Sequence, residues 1–141
     1  MMSYILRKIP VTILLICAVL QLTSAEQSPL CFEVQEGLTN GCSVPLFGKF
    51  PYKKIFEPAC QLHDLCYNCG IAQSKDRKYC DKIFLKKMKQ ICSTRKGWRK
   101  RSCKRFSRLY YVGVCAGGKS SFRQTPKAEC SVLDWIASCF P

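Results

Sequence analysis

Cysteine is the residue that most constrains how this chain can fold. The sequence holds 12 cysteines in 141 residues, and the first, Cys17, lies in a segment laid out like a secretory signal peptide. There Arg7 and Lys8 precede the apolar run IPVTILLICAVLQL, which gives way to the small residues TSA. We therefore expect cleavage after Ala25, at the end of residues 1–25, and secretion. The apolar run has 14 residues, too few to cross a bilayer comfortably, and a retained membrane anchor is the alternative.

The mature chain, residues 26–141, is long enough for one compact domain. It keeps eleven cysteines, and in an oxidising compartment we expect most of them to form disulfides. Because eleven is an odd number, one thiol stays free or pairs with a second chain.

Positive charge is concentrated in one part of the chain. Without residues 1–25 there are 21 basic and nine acidic residues, a net charge of +12, and 15 of the cations fall between Lys75 and Arg108. Such a surface attracts anionic lipid, heparin-like glycans or nucleic acid, and a solvated helix face is the simpler alternative. We expect an anionic phospholipid surface as the partner and no nucleic acid. The pairs Lys100-Arg101 and Lys104-Arg105 are candidate sites of proteolytic processing.

Turn-forming residues and capping residues predict three helices. Residues 37–54, rich in glycine and proline, should be an irregular loop. Pro58 suits the first turn of a helix that runs to about Cys69 and ends at Gly70. Asp76 caps a second helix, RKYCDKIFLKKMKQIC. A third, KRFSRLYYVGVC, follows Cys103, and the tail from Gly117 is looped with a short helical turn at VLDWIASC. The sequence therefore predicts a mainly α, small, disulfide-rich domain.

The stretch ACQLHDLCYNCG contains the only histidine, His63. On a helix His63 shares one face with Cys60, Asp64 and Tyr67. A zinc site of Cys60, His63, Cys66 and Cys69 is the first alternative, but those positions climb about 13 Å on a helix that rises roughly 1.5 Å per residue. Zinc ligands must all lie within about 2.3 Å of the ion, so the sequence disfavours zinc. A structural role is also favoured over a redox role for the Cys66-x-x-Cys69 motif.

The second predicted helix places a carboxylate on its inward face. Asp81 shares an apolar stripe with Phe84, Leu85, Met88 and Cys92, opposite a row of lysines. A buried carboxylate needs a hydrogen-bond donor, and the His63 ring of a neighbouring antiparallel helix is a suitable one. A tyrosine hydroxyl or a helix terminus is the alternative donor. Asp81 can also accept from such a donor and from His63 at the same time. An acid in this position orients a histidine so that it can act as a general base. Since no serine lies in a nucleophile-elbow motif, we expect water to be the nucleophile.

Asp64, next to His63, points about 100° away around the helix and is free for another task. The loop TNGCS could lie opposite it and offer turn carbonyls. One carboxylate with loop carbonyls suits calcium, which could stabilise a developing oxyanion.

These segments resemble the secreted phospholipases A2. ACQLHDLCY is similar to the C-x-x-H-D-x-C-Y helix of that family, and YCDKIFLKKMKQIC is similar to the helix whose aspartate pairs with the histidine. The features NGCSVP, FEPACQLHDLCYNCG, CDKIFLKKM, the pair Cys92 and Cys103, and YYVGV are closer to the small microbial type and to the conodipines of cone snails. Together they run from Asn40 to Val114, about two thirds of the mature chain.

The resemblance implies a phospholipase A2-like fold with two antiparallel catalytic helices and an irregular calcium loop. It implies a secreted, calcium-dependent enzyme, compatible with a venom component, that hydrolyses the sn-2 ester of glycerophospholipids. In it His63 would deprotonate water and Asp81 would orient His63. Ca²⁺ would be held by the Asp64 carboxylate, the Gly41 carbonyl and an oxygen of Asn40.

The resemblance also implies covalent links. It pairs Cys42 with Cys60 and Cys92 with Cys103, and it leaves open the partners of Cys31, Cys66, Cys69, Cys80, Cys115, Cys130 and Cys139. Conodipine precursors are cut into two disulfide-linked chains, so a disulfide-linked second chain is a further expectation.

Two departures from the family pattern concern calcium. Microbial relatives have an aspartate where this chain has Asn40, and the site loses one negative charge, so we expect weaker calcium binding. The glycine-rich calcium loop of the pancreatic-type enzymes is absent. The alternative function is therefore a non-catalytic phospholipase A2-like toxin or binding protein that acts on a channel, a receptor or an anionic surface. A third is a basic antimicrobial protein that disrupts membranes by charge.

Overall fold

The structure, a computed structural model, describes residues 27–33, 35–43 and 50–141. The predicted signal peptide and its cleavage point lie outside these residues. The described part forms four α-helices, which we label α1 (Lys53–Cys69), α2 (Arg77–Ser93), α3 (Gly97–Gly117) and α4 (Glu129–Val132). Short 3₁₀ helices lie at Pro29–Phe32, Gly70–Gln73, Gly118–Ser120 and Asp134–Cys139. No strand occurs within the described ranges, and the prediction of a mainly α, disulfide-rich domain is confirmed.

Helix α1 begins earlier than the sequence predicted. It starts at Lys53, so Pro58 lies inside the helix rather than in its first turn, and the predicted loop of residues 37–54 is too long by two residues. A helical proline leaves the carbonyl four residues earlier, here that of Lys54, without its donor. Lys54 is exposed, so water can reach that carbonyl. Phe56, which is 0% exposed, holds the early turn in place by packing edge-on against Tyr110.

Helix α1 ends at Cys69, as predicted, but Gly70 does not end it by a left-handed turn. Gly70 has φ −56° and continues into the 3₁₀ helix. A Cβ at this position would lie 3.2 Å from both Cys80 Sγ and Lys75 O. Glycine is therefore favoured here because the main chain passes close to a disulfide and to the following turn.

Helix α2 begins at Arg77 with the predicted cap and ends at Ser93, one residue beyond the predicted end at Cys92. The Asp76 carboxylate accepts a hydrogen bond from Tyr79 N at 2.7 Å. Helix α3, by contrast, starts at Gly97, seven residues before the predicted start at Lys104, the residue after Cys103. Gly97 has φ +54°, which lets the chain reverse within a few residues of α2. This turn places α2 and α3 side by side. Cys92 on α2 and Cys103 on α3 can therefore form a disulfide although both are helical.

The first two helices run antiparallel. His63 and Tyr67, late in α1, contact Asp81, early in α2, and Phe56 near the start of α1 joins the same apolar cluster as Met88 near the end of α2. The predicted antiparallel pair is therefore confirmed. Helix α3 packs against α2, and its Tyr110 also packs against Phe56 of α1. None of the helices in the described ranges is both long enough and apolar enough to span a membrane.

Five disulfides close the domain. They join Cys31–Cys139, Cys42–Cys60, Cys66–Cys80, Cys69–Cys130 and Cys92–Cys103. The two pairings implied by the resemblance are present. Cys66 and Cys69 have different partners, so they are not a redox pair, and Cys60, Cys66 and Cys69 have no thiolate for zinc. The zinc alternative is therefore excluded.

Replacing the cap of α2 should measurably destabilise the fold. Asp76→Ala removes the acceptor for Tyr79 N, and we expect the free energy of unfolding to fall by about 1 kcal/mol. Guanidinium unfolding of the oxidised protein, followed by far-UV circular dichroism, measures this. Asp134→Ala is the matched control, because Asp134 is also an exposed aspartate and makes no cap hydrogen bond. Equal losses in both variants would contradict the capping role.

Candidate active site

His63 and Asp81 face each other across the contact between α1 and α2. His63 Nε2 lies 3.0 Å from Asp81 Oδ1, and the two residues are only 6% and 2% exposed. The partner assigns the tautomer: a charged carboxylate only accepts, so Nε2 carries the proton and the neutral ring keeps its lone pair on Nδ1. The contact predicted from helix periodicity is thus present in the structure.

Asp81 accepts hydrogen bonds from two further side chains. The Tyr67 hydroxyl donates to the same oxygen, Oδ1, at 2.6 Å, and Arg77 Nη1 lies 3.4 Å from Oδ2. The histidine and tyrosine alternatives for Asp81 therefore hold together. Burial alone would raise the pKa of Asp81, but the hydrogen bonds from His63 and Tyr67 outweigh burial and lower that pKa. The carboxylate is therefore charged at neutral pH.

Arg77 is the member of this group that sequence reasoning missed. In the sequence Arg77 is only one of the many cations between Lys75 and Arg108. In the structure its guanidinium also donates to the main-chain carbonyls of Val114 and Cys115, at 3.4 and 3.2 Å. Arg77 therefore ties the Asp81 carboxylate to the end of α3. The spacing of four residues between Arg77 and Asp81 on one helix was the available signal.

The His63 ring is also held by packing. Its centroid lies 4.0 Å from that of Tyr67 and 4.7 Å from that of Phe84. One of these rings belongs to α1 and the other to α2. The ring orientation is therefore fixed by neighbours on both helices as well as by Asp81.

The loop of residues 39–43 lies against Asp64, as predicted. Asn40 N donates to Asp64 Oδ2 at 2.9 Å. Gly41 has φ +74°, a left-handed conformation that favours glycine. Burial raises the pKa of Asp64, and the hydrogen bond from Asn40 opposes this only in part. The three residues predicted to hold calcium, Asn40, Gly41 and Asp64, are thus brought together.

The Asn40 amide, however, presents its nitrogen to this site. The end of the amide that faces Asp64 Oδ2 at 2.9 Å and the Gly41 carbonyl at 3.3 Å meets only acceptors there. Unless a cation lies between these oxygens, that end is Nδ2, which also contacts Ser43 Oγ at 3.1 Å. Asn40 in this conformation donates to the other two predicted ligands rather than offering an oxygen beside them.

The odd cysteine of the mature chain is Cys115. It is the one free cysteine of the described residues, is partly buried, and lies with its Sγ 3.8 Å from Asp81 Oδ2. The expected disulfide to a second chain, and processing into two chains, stay predictions. The dibasic pairs Lys100-Arg101 and Lys104-Arg105 lie within α3, so cleavage at either would require that helix to open locally.

Removing the Tyr67 hydroxyl should reveal how far Asp81 depends on it. Asp81 has a lowered pKa when folded, so it stabilises the protein above the ordinary aspartate pKa of 3.8 and loses that contribution as the pH falls through the folded value. Tyr67→Phe should lower the free energy of unfolding at neutral pH by about 2 kcal/mol. The substitution moves the folded pKa of Asp81 upward. The difference in the free energy of unfolding between Tyr67→Phe and wild type should therefore shrink as the pH falls.

Tyr79→Phe is the matched control for that measurement. The Tyr79 hydroxyl donates at 2.6 Å to the carbonyl of Pro141, a neutral acceptor. Its effect on the free energy of unfolding should not depend on pH between pH 7 and the acid transition. If guanidinium unfolding at several pH values gave parallel curves for Tyr67→Phe too, Tyr67 would not be stabilising the charged form of Asp81.

Comparison with known proteins agrees with these features. A sequence model of the family described as prokaryotic phospholipase A2 matches residues 23–118. Conodipine-P3 of Conus purpurascens is 48% identical over 54 residues, which cover 38% of this chain and 29% of the relative. Conodipine-M alpha chain of Conus magus is 37% identical over 67 residues, which cover 48% of this chain and 86% of the relative. No solved structure matches.

The extent of these matches decides what they show. The match to the conodipine-P sequences covers under a third of their length, so it concerns one segment of those proteins. The family match, in contrast, covers more than half of this chain, from before the 3₁₀ helix at Pro29–Phe32 to the end of α3. It includes both members of the His63–Asp81 pair. The chain belongs to the prokaryotic phospholipase A2 family, as its motifs predicted.

Proposed function

We propose that this chain is a secreted, calcium-dependent phospholipase A2 that hydrolyses the sn-2 ester of glycerophospholipids. The observation that carries the proposal is the buried pair of His63 and Asp81, held between two helices that the Cys66–Cys80 disulfide links. Family membership supports the reaction class. The position of Asp64 beside a loop carbonyl supports the calcium requirement.

His63 would act as the base through Nδ1, since Asp81 already accepts the Nε2 proton. Nδ1 takes a proton from water as the water oxygen bonds to the sn-2 carbonyl carbon. The tetrahedral intermediate then breaks the bond between that carbon and the glycerol oxygen, which takes the proton back from Nδ1. The products are a fatty acid and a lysophospholipid. Asp81 acts as a positioning residue, because it keeps the ring in one tautomer and stabilises the imidazolium.

The oxygen donors beside this pair fit calcium. Asp64 Oδ2 and the Gly41 carbonyl converge on a single donor nitrogen, that of Asn40. A carboxylate and a main-chain carbonyl are hard oxygen ligands of the kind that calcium prefers. Asp64 and Gly41 would hold the ion, and Asn40 would contribute only after its amide turned. Bound calcium would polarise the ester carbonyl and stabilise the charge on its oxygen.

We also propose that the protein works at an anionic phospholipid surface. Most of the cations between Lys75 and Arg108 are exposed on α2 and α3. Trp98, at the start of α3, is 70% exposed beside Arg99, and such amphipathic rings suit the boundary between lipid and water. Each cation near an anionic membrane would contribute roughly 1 kcal/mol to binding. These charges support docking before hydrolysis.

One observation favours a second candidate, a phospholipase A2-like binding protein without hydrolysis. The Asn40 side chain, in the loop beside Asp64, brings no negative charge to the predicted calcium site. A protein that no longer needs calcium would tolerate this arrangement. The buried His63–Asp81 pair favours the enzyme, because binding alone does not require a buried acid.

Replacing the base should separate hydrolysis from binding. His63→Gln should reduce release of the sn-2 fatty acid from anionic vesicles by about 10²- to 10⁴-fold, because it removes general-base catalysis. Co-sedimentation with the same vesicles should stay as in wild type and weaken for both proteins as salt rises. Wild type in EGTA is the control for calcium dependence. Wild type that binds vesicles at millimolar calcium and releases no fatty acid would support the second candidate instead.

Restoring the missing charge should strengthen calcium binding. Asn40→Asp adds one carboxylate and removes the amide donor, so we expect calcium affinity, measured by calorimetry, to rise on the order of tenfold. Asn40→Ala is the control, since it removes the donor without adding charge and separates the two effects. The same affinity in Asn40→Asp and wild type would show that Asn40 does not adjoin the bound ion.

A further inference from the structure

The chain after α3 returns to the end of α1. Residues 119–141, which we call the tail, lie beyond the part of the chain that matches the family. Arg123 N donates to the main-chain carbonyl of Tyr67 at 3.1 Å, and the Cys69–Cys130 disulfide joins the same two segments. The first part of the tail is therefore anchored beside the tyrosine of the active site.

Tyr67 is enclosed where the tail begins. It is 5% exposed, and its hydroxyl donates to Asp81 Oδ1 at 2.6 Å. The Phe122 and Tyr67 rings meet edge-to-face, with centroids 5.5 Å apart and ring planes at 87°. The His63 ring, whose centroid lies 4.0 Å from that of Tyr67, is a further neighbour. Tyr67 therefore has little room to move away from Asp81 while the tail is in place.

Gly118, the first residue after α3, leaves room for the Tyr67 hydroxyl. A Cβ at Gly118 would overlap that hydroxyl and would lie 3.2 Å from two carbons of the Tyr67 ring. The main chain at Gly118 has φ −78°, which does not favour glycine over other residues. Gly117, one residue earlier, would place a Cβ in open space. The glycine at position 118 is therefore explained by its contact with Tyr67 and not by its backbone conformation.

We propose that Gly118 and Phe122 are positioning residues of the active site. This rests on the proposed function, since both act on the pair to which that function assigns hydrolysis. Gly118 lets the Tyr67 hydroxyl reach Asp81, and Phe122 keeps the tyrosine ring in that place. Asp81 in turn accepts from His63 Nε2, so these contacts complete the set that fixes the general base. With Phe122 the active site extends beyond the part of the chain that matches the family.

A double-mutant cycle on hydrolysis tests the proposal. Gly118→Ala should lower kcat for sn-2 fatty acid release from anionic vesicles about tenfold, because the new Cβ displaces the Tyr67 hydroxyl from Asp81. KM should stay as in wild type. Gly117→Ala, the same change in open space, is the matched control and should leave kcat unchanged. In a Tyr67→Phe background Gly118→Ala should lower kcat by less than about twofold, because the hydroxyl is already absent.

Guanidinium unfolding at neutral pH gives a second readout that does not need hydrolysis. Gly118→Ala should raise the equilibrium constant for unfolding about tenfold, since it withdraws a hydrogen bond from a buried charge. Gly117→Ala should leave that constant unchanged or lower it, because alanine restricts the unfolded chain. The effects of Gly118→Ala and Tyr67→Phe should again be non-additive.

The outcomes separate this proposal from the proposed function. Equal kcat and equal unfolding constants in Gly118→Ala and Gly117→Ala overturn the role of Gly118. An effect of Gly118→Ala that is the same with and without the Tyr67 hydroxyl also overturns it, because a general packing defect does not depend on that hydroxyl. Wild type that releases no fatty acid overturns the proposed function, and the unfolding cycle then decides whether Gly118 positions Tyr67.

Phe122→Leu keeps the proposal testable if Gly118→Ala fails to fold. It adds no volume and removes the edge-to-face contact with Tyr67. The expected kcat is about threefold below that of wild type, with KM unchanged, because the tyrosine ring is held less firmly. A kcat equal to that of wild type overturns the role of Phe122.

Discussion

The buried carboxylate of Asp81 is the constraint around which this domain is arranged. A charge that is only 2% exposed is tolerable because three side chains donate to it, two from α1 and one from α2. His63 and Tyr67 bring α1 to it, and Arg77 links it to the end of α3. The Cys66–Cys80 disulfide lies beside this cluster and limits how far the two helices can separate. The same contacts that satisfy the charge therefore fix the histidine in one tautomer, so stability and the proposed chemistry have one physical origin.

The sequence was informative where a local rule decided the structure. The apolar stripe containing Asp81 predicted its burial and its contact with His63, and the Asp76 cap predicted the start of α2. It was misleading where tertiary packing decided. Burial of Phe56 extends α1 back past Pro58, and a glycine turn allows α3 to begin before Cys103. Arg77 was missed because composition presented it only as part of a cationic run.

The Asn40 departure has a different meaning once the loop and α1 are considered together. From sequence it removes one negative charge from a loop, which predicts weak calcium binding. In the structure the same loop lies against α1, where Asn40 N contacts Asp64 and Gly41 lies beside the Glu57 carboxylate. The charge at a cation site is the sum over all nearby groups, whichever segment supplies them. A family pattern that is confined to one loop position therefore leaves out charges that other segments bring near the loop, such as Glu57 beside Gly41.

Charge is also segregated across the whole domain. The cations lie mainly on α2 and α3, whereas α1, after its first two residues, carries only Glu57 and Asp64 as charged side chains besides His63 if that ring is protonated. A uniformly basic protein would repel calcium from its own site, because a field of one sign extends over about a Debye length, roughly 10 Å at 0.1 M salt. Helix α1 carries no lysine or arginine after Lys54, which lowers that repulsion at Asp64. The exposed cations of the other two helices remain available for phosphate headgroups. Attraction to an anionic surface and retention of a divalent cation place opposite demands on one small domain, and this division between helices allows both.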